Sequence, residues 1–314
     1  MSELKKKKLV VGTRSSQLAL WQADYVISCL QQRYPGLEIE KRLMTTKGDQ
    51  ILNAPLAKIG GKGLFTKELE TAMLAGEIDL AVHSLKDMPV VVPEGLVITA
   101  ITERADSGDA LVSPRYNSFE ELPQGAKVGT SSLRRKAQLL HARPDLNIQD
   151  LRGNVNTRLR KMEEECFDAI ILAAAGLKRL GFQDRIRQLL PQTLCLPAVG
   201  QGALAIETRL ADTATREMLA FLNDPATRAC TTAERSFLAA VEGGCQVPVG
   251  VYAVMNEAQQ LQVEAIIASL DGKTLLRDSL IGAVDDAQQM GTELANKLLD
   301  QGGREILQAI GINV

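Results

Sequence analysis

The chain has 314 residues, 45% of them hydrophobic and 24% charged, a composition that suits a globular protein of two or three domains and excludes disordered and fibrous classes. Its longest apolar stretch, near Ala169–Leu177, is far shorter than the ~18 residues a membrane span requires. Thirty-six Lys and Arg against 38 Asp and Glu leave a net charge of −2, which argues against a general nucleic-acid binder without excluding a local basic cleft.

The first residues, ending in Lys5-Lys6-Lys7-Lys8, run directly into Leu9-Val10-Val11. No apolar stretch there is long enough for a signal peptide, so a cytoplasmic location is expected. Apolar runs then alternate with helical patterns. The expected strands are Leu9–Thr13, Leu37–Met44, Leu80–His83, Leu96–Ile101, Ala110–Val112, Lys127–Gly129, Ile148–Leu151, Ala169–Ala173 and Ala203–Glu207. Two helical stripes between them, Leu18-Trp21-Tyr25-Cys29 and Phe65-Leu69-Met73, read as core packing. This alternation predicts an α/β fold with a mostly parallel sheet. The last hundred residues differ. Val249–Val254, Leu261–Ala268 and Thr274–Ile281 are strand-like and joined by short turns, and a helical pattern from Asp286 to about Ile310 is broken near Gly302-Gly303. That order predicts a three-stranded antiparallel sheet with helices on one face, in a smaller α+β domain starting near residue 222. Five scattered cysteines with no C-x-x-C spacing, and only two histidines, point to reduced thiols and to no metal site.

Ligands of open α/β sheets sit at the carboxyl ends of the strands. Four strand-to-helix junctions there combine hydroxyl or amide residues with cations: Gly12–Ser16, His83–Pro89, Gly129–Arg135 and Leu151–Asn154. Free N–H groups at helix starts favour anions. Arg134, Arg135 and Lys136 fall in the first turn of a helix, where cations oppose the macrodipole at about 0.3–1 kcal/mol each. Between residues 130 and 161, eight cations (Arg134, Arg135, Lys136, Arg143, Arg152, Arg158, Arg160 and Lys161) face Asp145 and Asp150, a local +6 in a chain of −2. That stretch is either a solvated basic face or a polyanion site, and the capped junctions favour the second. Gly60-Gly61-Lys62-Gly63 lacks the phosphate-loop pattern. Asp87, an acid among basic junctions, is either a cap or an acid/base group. Cys245, in the turn Gly243-Gly244-Cys245-Gln246, is either a packing residue or an accessible thiol fit for covalent attachment.

These segments resemble the porphobilinogen deaminase (hydroxymethylbilane synthase) family. The resemblance rests on Gly12–Gln22, PLAKIGGKGLFTKELE at 55–70, DLAVHSLKDMP at 79–89, VGTSSLRR at 128–135, LRGNVNTRL at 151–159, Asp168–Gly181, LPAVGQGA at 196–203 and EGGCQVP at 242–248. It covers nearly the whole chain and is weakest after about residue 250. Asn53 stands where the family often carries Asp.

The resemblance implies a transferase that condenses four porphobilinogen molecules head to tail. Ammonia leaves at each step, and a linear hydroxymethylbilane is freed by hydrolysis. It implies one dipyrromethane cofactor bound through a thioether to Cys245, with Asp87 as the catalytic residue. The cofactor would be held by Ser84, Lys86, Thr130, Ser131, Ser132, Arg134, Arg135 and Arg158. The substrate would be held by Arg14, Gln22, Lys58, Lys62, Arg152, Arg179 and Gln201, with no metal. It further implies two periplasmic-binding-protein-like α/β domains, 1–102 with 203–220 and 103–202, and a third α+β domain, 221–314, carrying the cysteine loop. A monomer acting on a small molecule, with neither nucleic acid nor membrane as partner, is expected. The rival class is a non-enzymatic two-lobe anion-binding module, which explains neither Asp87 nor Cys245.

Overall fold

The structure is a computed structural model that describes residues 6–46, 48, 63–241 and 247–312. Its strands are β1 (Lys8–Arg14), β2 (Glu38–Met44), β3 (Leu80–Ser84), β4 (Leu96–Ile101), β5 (Asp109–Val112), β6 (Lys127–Gly129), β7 (Asn147–Gln149), β8 (Ala169–Ala173), β9 (Ile186–Leu189), β10 (Leu204–Arg209), β11 (Val249–Met255), β12 (Leu261–Ala268) and β13 (Leu275–Gly282). The helices that matter below are α1 (Gln17–Arg33), α2 (Lys67–Leu74), α3 (Leu133–Ala142), α4 (Val155–Glu164), α5 (Ala174–Arg179), α6 (Thr213–Leu219), α7 (Pro225–Ala240), α8 (Ala287–Leu298) and α9 (Arg304–Gln308). The chain forms two compact units. One takes the described residues up to Arg104 with Ala203–Arg228, and the other takes Ala105–Gly202 with Ala229–Val314.

The first unit is built on a five-stranded sheet of order β2-β1-β3-β10-β4. β1 runs parallel to β2 and β3, whereas β10 runs antiparallel to β3 and β4. One face packs Leu9, Val11 and Val82 against Ala23, Val26 and Leu30 of α1. The other packs Ala81 and Ile78 against Leu69 and Met73 of α2. Gly12 lies at this second face because a Cβ there would meet Ile78 Cδ1 at 2.4 Å.

The second unit contains a sheet of order β7-β6-β8-β5-β9 that repeats the pattern. β6 is parallel to β7 and β8, and β5 is antiparallel to β8 and β9. In each sheet the reversed strand, β5 or β10, is the first strand the chain forms after passing from one unit to the other. The same unit carries the antiparallel sheet β11-β12-β13, whose apolar face packs with Phe237 of α7 and Leu294 and Leu298 of α8. Gly291 lets α8 approach α7, since a Cβ there would lie 2.1 Å from the Ala233 carbonyl oxygen.

The expected fold class is present: two α/β sheets and a smaller antiparallel three-stranded sheet with helices. Each five-stranded sheet is mostly parallel as expected, with four strands in one direction and a single reversed strand, β10 or β5. The structure corrects two details. The sequence reading omitted β9, a short edge strand with alternating burial. The stripe Leu18-Trp21-Tyr25-Cys29 is not the core face of α1. Trp21 and Tyr25 are 38% and 42% exposed and stack on each other, while Ala19, Gln22, Ala23, Val26 and Leu30 are buried. The buried face mixes small Ala19 and Ala23 with Gln22, Val26 and Leu30, so the aromatic spacing does not mark it. The break near Gly302 is real, at φ 110° between α8 and α9. Among the described residues no helix is long and apolar enough to cross a membrane.

Candidate active site

The expected site residues fall into two groups, one in each unit, and each group is held by its own fold. In the first unit, β3 delivers Ser84 and is followed by a tight 3-10 turn over Leu85–Asp87. Gln22, 3% exposed on α1, donates from Nε2 to Ser84 Oγ at 2.8 Å, so two of the expected residues are joined directly. Leu85 anchors the turn, buried and donating its N–H to the Ala203 carbonyl at 3.0 Å. Lys86 and Asp87 are left partly exposed. Asp87 accepts no hydrogen bond and makes no ion pair among the described residues. Arg14, at the end of β1, lies over the Phe65 ring with Cζ 4.4 Å from the centroid, a cation–π contact that fixes the guanidinium plane.

Behind this turn the first unit buries acids that the sequence reading passed over. His83 Nε2 lies 3.2 Å from Glu207 Oε2. Burial pushes the Glu70 carboxyl above its ordinary range, and the Glu207 charge adds to the effect. Glu207 stands out in sequence as an acid on the largely apolar run LAIETR, whereas Glu70, beside Glu68 in KELETAML, reads as an ordinary surface helix position.

In the second unit the junction after β6 carries Thr130, Ser131, Ser132, Arg134 and Arg135. Ser132 Oγ caps α3 by accepting from Arg135 N at 3.4 Å, and Thr130 Oγ1 accepts from Ser132 N at 3.2 Å. Arg134 and Arg135 turn inward. They are 4% and 5% exposed and both bind Asp109, at 2.7 Å from Arg134 Nη1 and 2.6 Å from Arg135 Nη2. Gln201 is 1% exposed, and its Nε2 donates to the Ser107 carbonyl at 2.7 Å and to Asp109 at 2.9 Å. Arg158 Nε donates to the Gly153 carbonyl at 2.8 Å, and Arg179 Nη2 to the Gly202 carbonyl at 2.7 Å. Asp109, the hub of this network, was not among the expected residues. Its signal was an acid opening an apolar run, which reads equally as a loop end.

Counter-ions from outside the stretch offset about half of the +6 of residues 130–161 in space. Arg134 and Arg135 share Asp109, Arg143 pairs with Asp145, Arg160 with Glu164, and Lys161 lies 3.9 Å from Glu165. The counter-ions Asp109, Glu164 and Glu165 lie outside the counted window, so linear counting missed them. Among the described residues of this stretch, the buried donors and hydroxyls without partners are Ser131 Oγ, Arg134 Nε and Arg152 Nη1, all on expected site residues; Thr66 Oγ1 and Arg216 Nε are in the same condition elsewhere. A buried polar atom left unpaired costs about 1–3 kcal/mol, and hydrogen-bond donors suit a carboxylate-bearing ligand. Among the described residues no His, Cys, Asp and Glu side chains gather in threes as metal ligands would. Cys245, Lys58 and Lys62 lie outside the described residues.

Comparison with known proteins decides the family. The family model "Porphobilinogen deaminase, dipyromethane cofactor binding domain" matches residues 9–217, and "Porphobilinogen deaminase, C-terminal domain" matches residues 228–300. The chain belongs to the porphobilinogen deaminase family. A porphobilinogen deaminase of Pelobacter propionicus is 53% identical over 304 residues, covering 97% of both chains. One of Trichlorobacter lovleyi is 54% identical over the same length, again covering 97% of both. Among solved structures, a nutrient-binding protein from Burkholderia cenocepacia bound to methionine aligns at 15% identity and a TM-score of 0.44, over 68% of this chain and 91% of that chain. As a porphobilinogen deaminase, the chain is a hydroxymethylbilane synthase that uses a dipyrromethane cofactor. The orphaned donors and hydroxyl of the second unit fit that group, whose pyrroles carry carboxylates. The non-enzymatic binding module is not favoured.

Proposed function

We propose that this chain condenses four porphobilinogen molecules into linear hydroxymethylbilane with Asp87 as its catalytic residue. The observation carrying that assignment is the partly exposed Asp87 carboxylate in the turn that follows β3, which has no partner among the described residues. An unpartnered carboxylate can accept hydrogen bonds from pyrrole N–H groups. Its charge can also offset the positive charge that develops on the substrate as ammonia leaves. That positive charge exists mainly near the transition state, so Asp87 acts on rate more than on affinity.

When bound, the dipyrromethane supplies the primer to which substrate units are joined, and we assign its thioether to Cys245. Ser84, oriented by Gln22, and Lys86 offer a hydroxyl and a cation beside Asp87. Thr130, Ser131, Ser132, Arg134, Arg135 and Arg158 complete the cofactor set. Ser131 Oγ and Arg134 Nε, buried with unused hydrogen-bonding capacity, support this reading. Arg14, Arg152, Arg179 and Gln201 hold substrate carboxylates, with Lys58 and Lys62 of the Gly-rich segment. The Nη1 of Arg152 is the unused donor there, while the side chain of Gln201 is engaged with Asp109.

The three sheets support a division into domains 1–102 with 203–220, 103–202 and 221–314. We read the protein as a cytoplasmic monomer with a small-molecule substrate and with neither nucleic acid nor membrane as partner. The net charge of −2 and 4% aromatic content support the absence of a nucleic-acid role.

Intact-mass measurement tests the reading. The purified protein is expected to exceed its sequence mass by two deaminated substrate units. Cys245→Ser removes the added mass and the turnover of porphobilinogen. Single replacement of Cys29, Cys166, Cys195 or Cys230 leaves the added mass in place. An unmodified, fully active wild-type protein overturns the assignment.

A further inference from the structure

Asp109 opens β5 and is wholly buried. Two guanidiniums from the first turn of α3 converge on it. Arg134 Nη1 lies 2.7 Å from Oδ2, and Arg135 Nη2 and Nε lie 2.6 and 3.0 Å from Oδ1. Gln201 Nε2 donates to Oδ1 at 2.9 Å and Cys195 Sγ to Oδ2 at 3.3 Å. The arginines are fastened a second time, Arg134 to the Leu196 carbonyl at 2.6 Å and Arg135 to the Ile171 carbonyl at 2.9 Å. Burial alone would raise the Asp109 carboxyl, but the two arginine charges outweigh it and hold the group well below the ordinary carboxylate range. Burial and the Asp109 charge push the Cys195 thiol up to about 12, so it is neutral. The cluster therefore holds two positive charges and one negative charge, with the arginines only 4% and 5% exposed. A charge left uncompensated at that depth is unfavourable. Arg134 Nε and, on the same β6–α3 junction, Ser131 Oγ are buried with no partner among the described residues.

We propose that Asp109 is a positioning residue of the cofactor seat. It locks Arg134 and Arg135 into a preassembled pair and sets their joint charge at +1. One carboxylate of the incoming pyrrole pair then completes the cluster. The proposal rests on the reading of Arg134 and Arg135 as carboxylate binders. With one internal counter-ion the pair stays ordered before loading. With none, two adjacent guanidiniums repel and lose the geometry that bidentate recognition requires.

The full chain, made in cells that form no porphobilinogen and then loaded with it, provides the test. Two readouts are taken: cofactor occupancy by intact mass, and the melting temperature of the unloaded protein in sodium sulfate against sodium chloride at equal ionic strength. Asp109→Asn is expected to lower occupancy at least tenfold. It should also make unloaded stability depend on sulfate more steeply than in wild type, because the anion replaces the lost counter-charge. Asp109→Asn combined with Arg135→Gln restores the net +1. It should recover the melting temperature of the unloaded protein without recovering occupancy, and it carries the test if the single variant does not fold. Occupancy within twofold of wild type in either Asp109 variant, with an unchanged sulfate response, overturns the proposal. Arg134→Gln and Arg135→Gln with Asp109 intact separate the two readings. If both load normally, the carboxylate-binding reading falls and the proposal with it. If both lose occupancy while Asp109→Asn keeps it, only the role of Asp109 falls.

Discussion

Arg152 and Arg160 carry the same charge eight residues apart, and their surroundings separate them. Arg160, 62% exposed at its side chain, reaches both oxygens of Glu164 at 2.9 Å one helical turn away. Such a surface pair is worth about 0.3–0.5 kcal/mol. Arg152 buries an Nη1 from which nothing accepts among the described residues, an arrangement unfavourable until an anion arrives. Arg152→Leu should therefore raise KM for porphobilinogen or lower cofactor occupancy about tenfold without lowering the melting temperature, whereas Arg160→Leu should change kcat/KM less than twofold. Equal effects of the two substitutions on kcat/KM would return Arg152 to the solvated face. No count along the sequence could divide these residues, because Glu164 lies outside the basic stretch and the burial of one nitrogen is a tertiary property. Asp87 is the opposite case. Its place after an apolar strand, among Ser84 and Lys86, was legible in one dimension, and the structure adds that its carboxylate is unclaimed among the described residues. Asp87→Asn removes the charge and retains one acceptor, and Asp87→Glu moves the charge by about one methylene. Single-turnover condensation with cofactor confirmed by mass should be nearly abolished in the Asn variant and partly retained in the Glu variant. A near-normal rate for Asn would make Asp87 a structural cap.

Elements show where sequence reading holds and where it fails. β4, β6, β8 and β12 begin and end where expected. β8, AIILA, is apolar throughout because it is buried along nearly all its length, whereas β12 alternates polar Gln262 and Glu264 with buried apolar residues before its apolar end. β9, of sequence IRQL with alternate residues exposed, has too little apolar content to stand out and is defined only by its pairing with β5. Strand direction was likewise invisible, since β5 and β10 read like their parallel neighbours and are reversed by the path of the chain between units. Caps were legible: Ser16, Ser132 and Asn154 each accept a backbone N–H at the start of their helix. Asp212 caps α6 in the same way and also takes Lys6 at 2.7 Å and Arg209 at 3.0 Å. Burial acts to raise its carboxyl, but the Lys6 ammonium and the Thr215 hydrogen bonds bring it down to about 2. A depressed folded-state pKa stabilises above the unfolded value near 3.9 and loses that contribution as pH falls through about 2. Asp212→Asn should therefore remove about 1–2 kcal/mol at neutral pH and flatten the stability profile between roughly pH 4 and pH 2, as read by urea unfolding across that range. An unchanged acid limb would assign the acid sensitivity to other carboxylates. At the α7–α8 contact, Gly291→Ala forces a backbone shift against the Ala233 carbonyl and should cost about 1–3 kcal/mol, measured by thermal unfolding.

At the scale of the whole molecule, the electrostatic problem is to attract a substrate bearing an acetate and a propionate with a chain whose net charge is −2. Interactions between exposed charges are largely screened beyond about 8 Å at physiological ionic strength, so the overall charge contributes little at the site, and attraction must come from cations within that radius. Much of the basic stretch is neutralised by its own neighbours, which leaves a few cations, Arg152 among them, to act on an approaching anion. This predicts a limited salt effect, confined to encounter and binding. Raising sodium chloride from about 0.05 to 0.5 M should lower kcat/KM for porphobilinogen roughly three- to tenfold, while kcat changes less than twofold, because the bound substrate sits inside contacts that salt reaches poorly. In Arg152→Gln the fall should be shallower, since one of the few effective cations is already gone, and in Arg160→Gln it should match wild type, since that charge is already spent on Glu164. A kcat/KM that ignores salt in all three proteins would mean that carboxylate recognition proceeds through neutral hydrogen bonds from the Ser and Thr hydroxyls. A steep dependence that Arg160→Gln reduces as much as Arg152→Gln would mean that the whole basic face, rather than a few uncompensated cations, steers the substrate.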